Sequence, residues 1–552
     1  MTGDSESATL QSEETPRRSC DAQGGTQAAL HGASEDPEKG RSSIPERSGD
    51  WQKRKKVDTG AEFEREENVV VIDFEGPEDV GNPMNWAPRR KWGITAILAG
   101  MTFVTTFTSA IFSTSVDLTA KEFQSSTEVM AMGTSLFLLG FTFGPVLWGP
   151  TSELYGRRPP LIIGTLVMAL FQVGVSVARN NYTILLCRFF AGVFGCAPLA
   201  VVGGALSDFW DPVQRGVTVG LYSMCTFVGP VAAPIAGGYI AESYLGWRWT
   251  EYLSVIMAVF FWAIAFFFLP ETYHPRILQV RARKLRVETG DWAIHAAADE
   301  KVINTRIILE KYLTRPVRML ALEPILLFLA LFVQTPRLLQ IHGILTRPLT
   351  RYIGLAYGIL YLFFTAYPIS FQHQRQWSQG KASLPFLSIT IGVIFASTFN
   401  TFHTLHSYRA RLAAGTATPE SRLPPMIVGS LLLPPGLFLW AWTSPPHITP
   451  WPQILAGVPM GMGILLIMVN GLNYIVDVYK VNANSAIAAN TMVRSLMGAG
   501  LSVAAERMYA SLGVRWATSL LGFVAVVLGA GPVLFWTFGA KVRGWSRFME
   551  ES

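Results

Sequence analysis

Charge is what this sequence has little of. Only 15% of its 552 residues are Asp, Glu, Lys or Arg, against roughly 25% in an average soluble domain. Half are hydrophobic, so the chain has too little polar surface to cover a soluble core of its size. Cysteine is scarce as well. Cys20 stands in a polar N-terminal stretch, and Cys187, Cys196 and Cys225 stand in apolar runs. With no CxxC and no Cys/His cluster, a metal module and a disulfide framework are both excluded, and three buried thiols are expected. No P-loop, nucleotide motif or catalytic triad is visible, so neither an ATP-driven pump nor an enzyme is expected, and no cofactor. The opening MTGDSESATLQSEE is acidic and polar, unlike a cleaved signal peptide. The net charge of +6 comes without a basic face or an aromatic-basic motif, so nucleic acid is not an expected partner.

Long apolar runs are what the chain does have. Residues 1–92 hold a dense mix of both signs; the first 65 or so are too poor in apolar residues to offset the entropy of ordering. They are expected to form a disordered tail. Runs near the roughly 20 residues that cross a bilayer as a helix then recur. They fall at 93–115, 129–149, 160–178, 183–206, 217–241 and 252–270, and, after a polar loop at 271–320, within 322–371 and at 383–402, 425–443, 453–476, 485–505 and 516–539. The expected fold is an all-α membrane protein of twelve spans, six in 93–270 and six in 321–540, followed by a short tail at 541–552. Continuous runs of this length exclude a β-barrel of short alternating strands.

Orientation follows from Lys and Arg. Arg89, Arg90, Lys91, Arg157, Arg158, the many basic residues of the central loop, and Lys541, Arg543 and Arg547 all fall on one side, whereas 116–128 holds only Lys121 and 444–452 has none. Both termini and the central loop are therefore expected in the cytoplasm. Asn181 heads a formal glycosylation sequon, set too close to the membrane for modification to be expected.

Several positions carry the chemistry. The loop after the second run reads Gly149-Pro-Thr-Ser-Glu153-Leu-Tyr-Gly156-Arg157-Arg158. Its glycines permit close helix approach, and its opposite charges suit a latch made in one conformation and released in another. Arg188 lies within an apolar span, and an arginine there is a functional candidate by default. The fifth run carries Gly229-Pro230 and Pro234-Ile-Ala-Gly237-Gly238, which bend a helix and allow close packing. Polar and aromatic residues stand mid-span at Tyr361, Phe364, Tyr367, Asn470, Asn473, Tyr474, Asn490 and Arg494. Asn470, Asn473 and Asp477 share a helix face by their spacing.

These motifs resemble those of the major facilitator superfamily. The loop resembles its signature, with Glu153 in place of the usual aspartate and Thr151 in place of the usual leucine. Arg188 in RFFAG resembles the arginine associated with proton coupling, and the Gly/Pro helix resembles the antiporter motif of exporters. Asn82-Pro-Met-Asn85-Trp86, Leu245-Gly-Trp-Arg-Trp249, Leu269-Pro-Glu-Thr-Tyr-His-Pro275, Tyr357-Gly-Ile-Leu-Tyr361 and Asn490-Thr-Met-Val-Arg494 narrow this to fungal twelve-span drug:proton antiporters, in the polyamine and multidrug exporter branch. The resemblance covers about 82–545. It implies two six-helix bundles around a midplane cavity, alternating access, and proton-coupled export of amphipathic drugs, polyamines or secondary metabolites across the plasma membrane by a monomer. An uptake symporter and a non-transporting nutrient sensor share the fold.

Two features depart from that pattern. No carboxylate stands clearly at mid-membrane, because Asp117, Glu128, Glu242, Asp477 and Glu506 lie toward span ends. The seventh span is interrupted: 334–356 brings Arg337, Arg347, Arg351, Pro336 and Pro348 into an apolar run, where a lipid-facing helix tolerates neither. This segment reads as an unspliced intron, which sequencing of the mature transcript decides; otherwise 353–371 must serve as the span.

Overall fold

The computed structural model describes residues 70–299, 348–479 and 483–543, Pro77 excepted. Eleven stretches within them are long and apolar enough to cross a membrane. The last is two helices joined across Gly513, whose φ of 70° breaks the helix, so the described residues hold twelve spans. In the first half they are α1 Pro88–Glu122, α2 Thr127–Leu154, α3 Arg158–Ser176, α4 Asn181–Phe209, α5 Val213–Glu242 and α6 Trp247–Phe268. In the second half they are α7 Tyr352–Gln374, α8 Gln379–Ala413, α9 Pro424–Trp442, α10 Pro450–Tyr479, α11 at 483–512 and α12 at 514–543.

Local chemistry sets the ends. Ser126, Asn180 and Asp211 each accept a backbone N–H of the first turn of α2, α4 and α5, satisfying a donor that no helical carbonyl reaches. Proline opens α1, α9 and α10, where its missing N–H costs nothing. Within the first half α1 packs on α5, α2 on α4, and α3 on α4 and α6; in the second, α7 packs on α11, α9 on α10, and α8 on α10. The halves meet where α2 lies along α11 and α5 along α8. Phe266, Phe267, Phe268, Phe523, Val526 and Val527 stay exposed on the outside, as a lipid-facing surface requires.

Two expectations are corrected. Residues 70–92, expected within a disordered tail, are ordered. Val70–Ile72 (β1) pairs in parallel with Ile294–Ala296 (β2), and Asn82 caps a turn at Pro83–Asn85 ahead of α1. Nor is the central loop only a loop. Its helix His274–Thr289 buries Ala282 against Ile72, Ile294 and Ala296. Arg281 clamps the strand's continuation through Glu75 and Asp79, each at 2.7 Å. Partial burial alone would raise the Asp79 carboxyl, but the Glu75 and Gly81 amides and Arg281 hold it below its ordinary value.

The helix of the seventh span starts at Pro348 and runs through Tyr367 into a π-helical turn at Pro368–Gln374. Tyr352, Ile353, Leu355 and Ala356 are buried in the core. Residues 352–356 therefore pack within the span, in line with the expected alternative that 353–371 serves as the span. The part at 334–347, and the short apolar run at 322–333, lie outside the described residues.

Candidate functional site

At the basic end of the first half, Gly156 takes φ +97°, a conformation that favours glycine. A Cβ there would also strike the Glu271 carboxylate. The turn aims two successive amides at that carboxylate: Arg157 N donates to Glu271 Oε1 at 2.7 Å and Arg158 N to Oε2 at 3.1 Å. Arg157 then reaches across to α4, pairing with Asp208 at 3.1 Å, donating to Ser152 Oγ at 3.1 Å and covering the Tyr273 ring. Arg158 donates to the Phe266 carbonyl at the end of α6. Burial first, then the nearby Glu153 charge, push the Tyr273 hydroxyl up. One buried arginine thus ties α2, α4 and the chain after α6 together.

Asp208 and Glu271 were not among the expected site residues. Asp208 closes an apolar run, and an acid in that position is the signal that marks it. Gly149 is corrected: nothing lies within 4 Å of where its Cβ would be, so it serves no close approach.

Arg188 lies seven residues into α4, about 10 Å along the helix. It does not reach an interface but is completely buried. Nε donates to the Gly133 carbonyl of α2 at 3.2 Å, Nη1 to Thr108 of α1 at 2.8 Å and Nη2 to Ser109 at 3.0 Å. The Phe112 and Phe137 rings flank it. Its counter-charge is Glu251 of α6, 3.9 Å away and also wholly buried. Gln172 of α3 donates to that carboxylate, and Thr250 stands beside it. Glu251, four residues into α6, is thus a further acid toward a span end, absent from the expected set and set apart by its complete burial. Glu251 escaped because the expected span began at 252, whereas the helix begins at Trp247.

The halves touch centrally where Ser109 of α1 shares a 2.6 Å hydrogen bond with the Tyr361 hydroxyl of α7. The Tyr357 and Tyr361 hydroxyls are 3.4 Å apart. Phe364 sits edge-on to Tyr361, and Arg494 of α11 lies over the Tyr357 ring at 5.0 Å. Asn490, one turn before Arg494, is fully buried, yet neither polar atom of its side chain has a hydrogen-bond partner. Tyr357, Tyr361, Phe364, Asn490 and Arg494 are all buried near this seam.

The other expected cavity residues go elsewhere. Tyr367 stacks on Phe386 and lies against Trp440. Tyr474 meets Phe535 of α12. Asn470 donates to the Leu466 carbonyl of its own helix, Asp477 pairs with Arg422 at 3.0 Å, and Asn473 is half-buried.

The Gly/Pro segment of α5, which carries Pro230 and Pro234 inside the helix, works as contact surface on two sides. Cβ atoms on Gly229 and Gly237 would strike Thr106 and Thr114 of α1, and one on Gly238 would meet Ser383 of α8 in the other half. Beyond it the end opposite the Arg157 loop is tied across the halves. Gln379 donates to the Thr114 carbonyl at 2.6 Å, Gly380 N to Glu242 at 3.0 Å, and Arg507 pairs with Glu128 at 2.8 Å. Gly229→Val is expected to force α1 and α5 apart, at a cost of about 1–3 kcal/mol. Thermal unfolding in detergent, with Gly149→Val as the tolerant control, measures this; equal melting of the two variants would contradict the contact.

Two six-helix halves that meet across buried polar and aromatic side chains are the architecture of a membrane transporter. The sequence profile of the Major Facilitator Superfamily matches residues 98–502. The chain belongs to that superfamily. It is 50% identical to a "Citrinin biosynthesis cluster MFS transporter mrr1" of Monascus ruber over 87% of this chain and 93% of the relative. It is 44% identical to an "Ascochitine biosynthesis cluster MFS transporter" of Didymella fabae over 87% and 89%. The fold matches the xylose transporter XylE from E. coli in a partially occluded inward-open conformation, with TM-score 0.55 and 15% identity over 82% of this chain and 98% of that one.

Proposed function

We propose that this protein exports a fungal secondary metabolite from the cytoplasm, in exchange for protons, by alternating access around the Tyr361–Arg494 lining. The observation that carries the reading is Asn490. Burying an amide with both polar atoms unpaired costs roughly 1–3 kcal/mol, and a bound polar molecule between the halves would remove that cost. Tyr357, Tyr361 and Phe364 supply flat apolar faces beside it, which suits an amphipathic aromatic compound better than a sugar or an ion. The relatives named for citrinin and ascochitine clusters support the same substrate class; drugs and polyamines are weaker readings. Export is supported by the Gly/Pro helix, whose tight contacts on α1 and α8 suit a seal against leak.

In this reading the protein sits in the plasma membrane as a monomer, with both termini and the Arg157 loop in the cytoplasm. Glu153, Arg157 and Arg158 gate that face. Glu153→Ala is expected to slow efflux severalfold at unchanged abundance; unchanged efflux would remove Glu153 from the gate.

Citrinin is the first probe. In a yeast strain without its own exporters, the protein is expected to lower retained citrinin severalfold, and Asn490→Leu to abolish that effect at equal surface abundance. Retained citrinin raised above the empty-vector level would make the protein an importer. No change with any of a panel of aromatic polyketides would contradict the substrate class.

A further inference from the structure

We infer that Glu251 of α6 is the group that carries the coupled proton, with Arg188 as its fixed partner; this rests on the proton-driven reading above. Among the described residues Glu251 is the one acidic side chain that is completely buried. The other acids of the spans stand at helix ends or in surface pairs such as Glu122–Arg248 and Glu128–Arg507. Inside a bilayer a carboxylate must be paired or protonated, and the surroundings of Glu251 accommodate both forms.

The pairing is unequal in a telling way. Arg188 gives Nε, Nη1 and Nη2 to three backbone carbonyls and stands 3.9 Å from Glu251, beyond hydrogen-bond range. When Glu251 takes a proton, Arg188 keeps all three of its bonds and loses only the compensating charge. The new O–H has neutral neighbours, since Gln172 and Thr250 line the carboxyl, and Ser115 of α1 bonds Thr250 at 3.0 Å. Among the described residues Arg188 is the one basic side chain within 4 Å of the Glu251 carboxylate. The first turn of α6 also carries Arg248, paired with Glu122 of α1, and Glu122 accepts from Trp247 one turn before Glu251.

Protonation therefore has one local effect: an O–H bond forms on the carboxylate with a proton taken from water, and the interior gains one uncompensated positive charge on Arg188. That charge is wired to the seam. Arg188 holds the Ser109 carbonyl, and the Ser109 hydroxyl holds Tyr361 of the other half. A change in the hold on α1 at residues 108–109 thus acts on a contact that joins the bundles, and from there on the substrate lining. Release of the proton to water on the opposite side restores the carboxylate and the pair. One proton moves per cycle, with no oxidant or reductant involved.

The test uses full-length protein in two measurements. Infrared difference spectra between acidic and alkaline buffer are expected to show a protonated-carboxyl band in a low-polarity environment, absent in Glu251→Gln and shifted but retained in Glu251→Asp. In proteoliposomes, the ratio of gradient-driven flux to gradient-free exchange of labelled citrinin is expected to fall at least tenfold in Glu251→Gln. Glu251→Asp is expected to recover part of the driven flux. A band that survives Glu251→Gln, or a ratio unchanged in that variant, would overturn the assignment. Wild-type exchange that no gradient accelerates would overturn proton-driven export, and the infrared titration would then still decide whether Glu251 binds a proton.

Discussion

Arg188→Ala is expected to remove most of the protein from the membrane, and Arg188→Ala/Glu251→Gln to bring much of it back without restoring transport. The single substitution leaves the Glu251 carboxylate wholly buried with no counter-charge, and takes three donors from the carbonyls of Gly133, Thr108 and Ser109. Breaking a buried pair by removing one member costs about 3–5 kcal/mol, and 1–2 kcal/mol is enough to change cellular abundance severalfold. The double variant loses the same donors but holds a neutral amide, so the largest penalty disappears. Surface abundance of the two variants, measured side by side with Glu251→Gln alone, checks the prediction. Equal loss in the single and the double variant would mean that the pair contributes no mutual compensation, and that the loss comes from the carbonyl contacts and the Phe112 and Phe137 packing.

The second large effect lies at the basic end. Asp208→Asn is expected to reduce export roughly tenfold at near-normal abundance. The Arg157–Asp208 pair has side chains only 9% and 11% exposed, so little solvent screens it. Arg157 keeps Ser152 and its amide bond to Glu271 after the substitution, and the loop stays in place. What is lost is the charge that favours the assembled state of the loop over the state without it. A shift of 1.4 kcal/mol between two conformations is a factor of ten in their ratio, and a transporter that must visit both slows when one is disfavoured. The readout is the initial efflux rate per molecule at the surface. Glu271→Gln is expected to act in the same direction, because two amide donors then share a neutral acceptor. Full activity in both variants would separate this network from the transport cycle.

Much of the architecture was legible because a bilayer allows few solutions. Apolar runs of the right length locate eleven of the twelve spans, with ends off by up to about ten residues. The misses have a common physical source: length and hydropathy place helices in sequence but do not show which side chain lies beside which. Glu251 was lost because a window that seeks apolar residues drops an acid at its edge, and the partner that explains its burial is 63 positions away in the chain. Asp208 and Glu271 were missed for the same reason, being joined to Arg157 only by the fold.

Asn470, Asn473 and Asp477 do share a face by spacing, yet Asn470 is satisfied by its own helix and Asp477 by Arg422. A common face is not a common site. Arg188, in contrast, was recognisable at once, because an arginine deep in an apolar run has to be held by something. The seventh span shows the opposite failure. Three arginines and two prolines in 334–356 obscured a helix whose buried face at 352–356 is apolar or aromatic throughout.

Direction and energy source together make the central claim, and one measurement reaches both. Citrinin-loaded yeast cells expressing the protein in a strain without its own exporters are followed for loss of citrinin to the medium. Beside them run the empty-vector strain, a sample with the proton gradient collapsed by a protonophore, and a sample depleted of ATP with an acid-outside gradient supplied. Proton-coupled export predicts rapid loss that stops when the gradient collapses and persists without ATP while the gradient lasts. Loss that continues without the gradient but stops on ATP depletion would contradict it, and so would gradient-dependent accumulation of citrinin inside the cells.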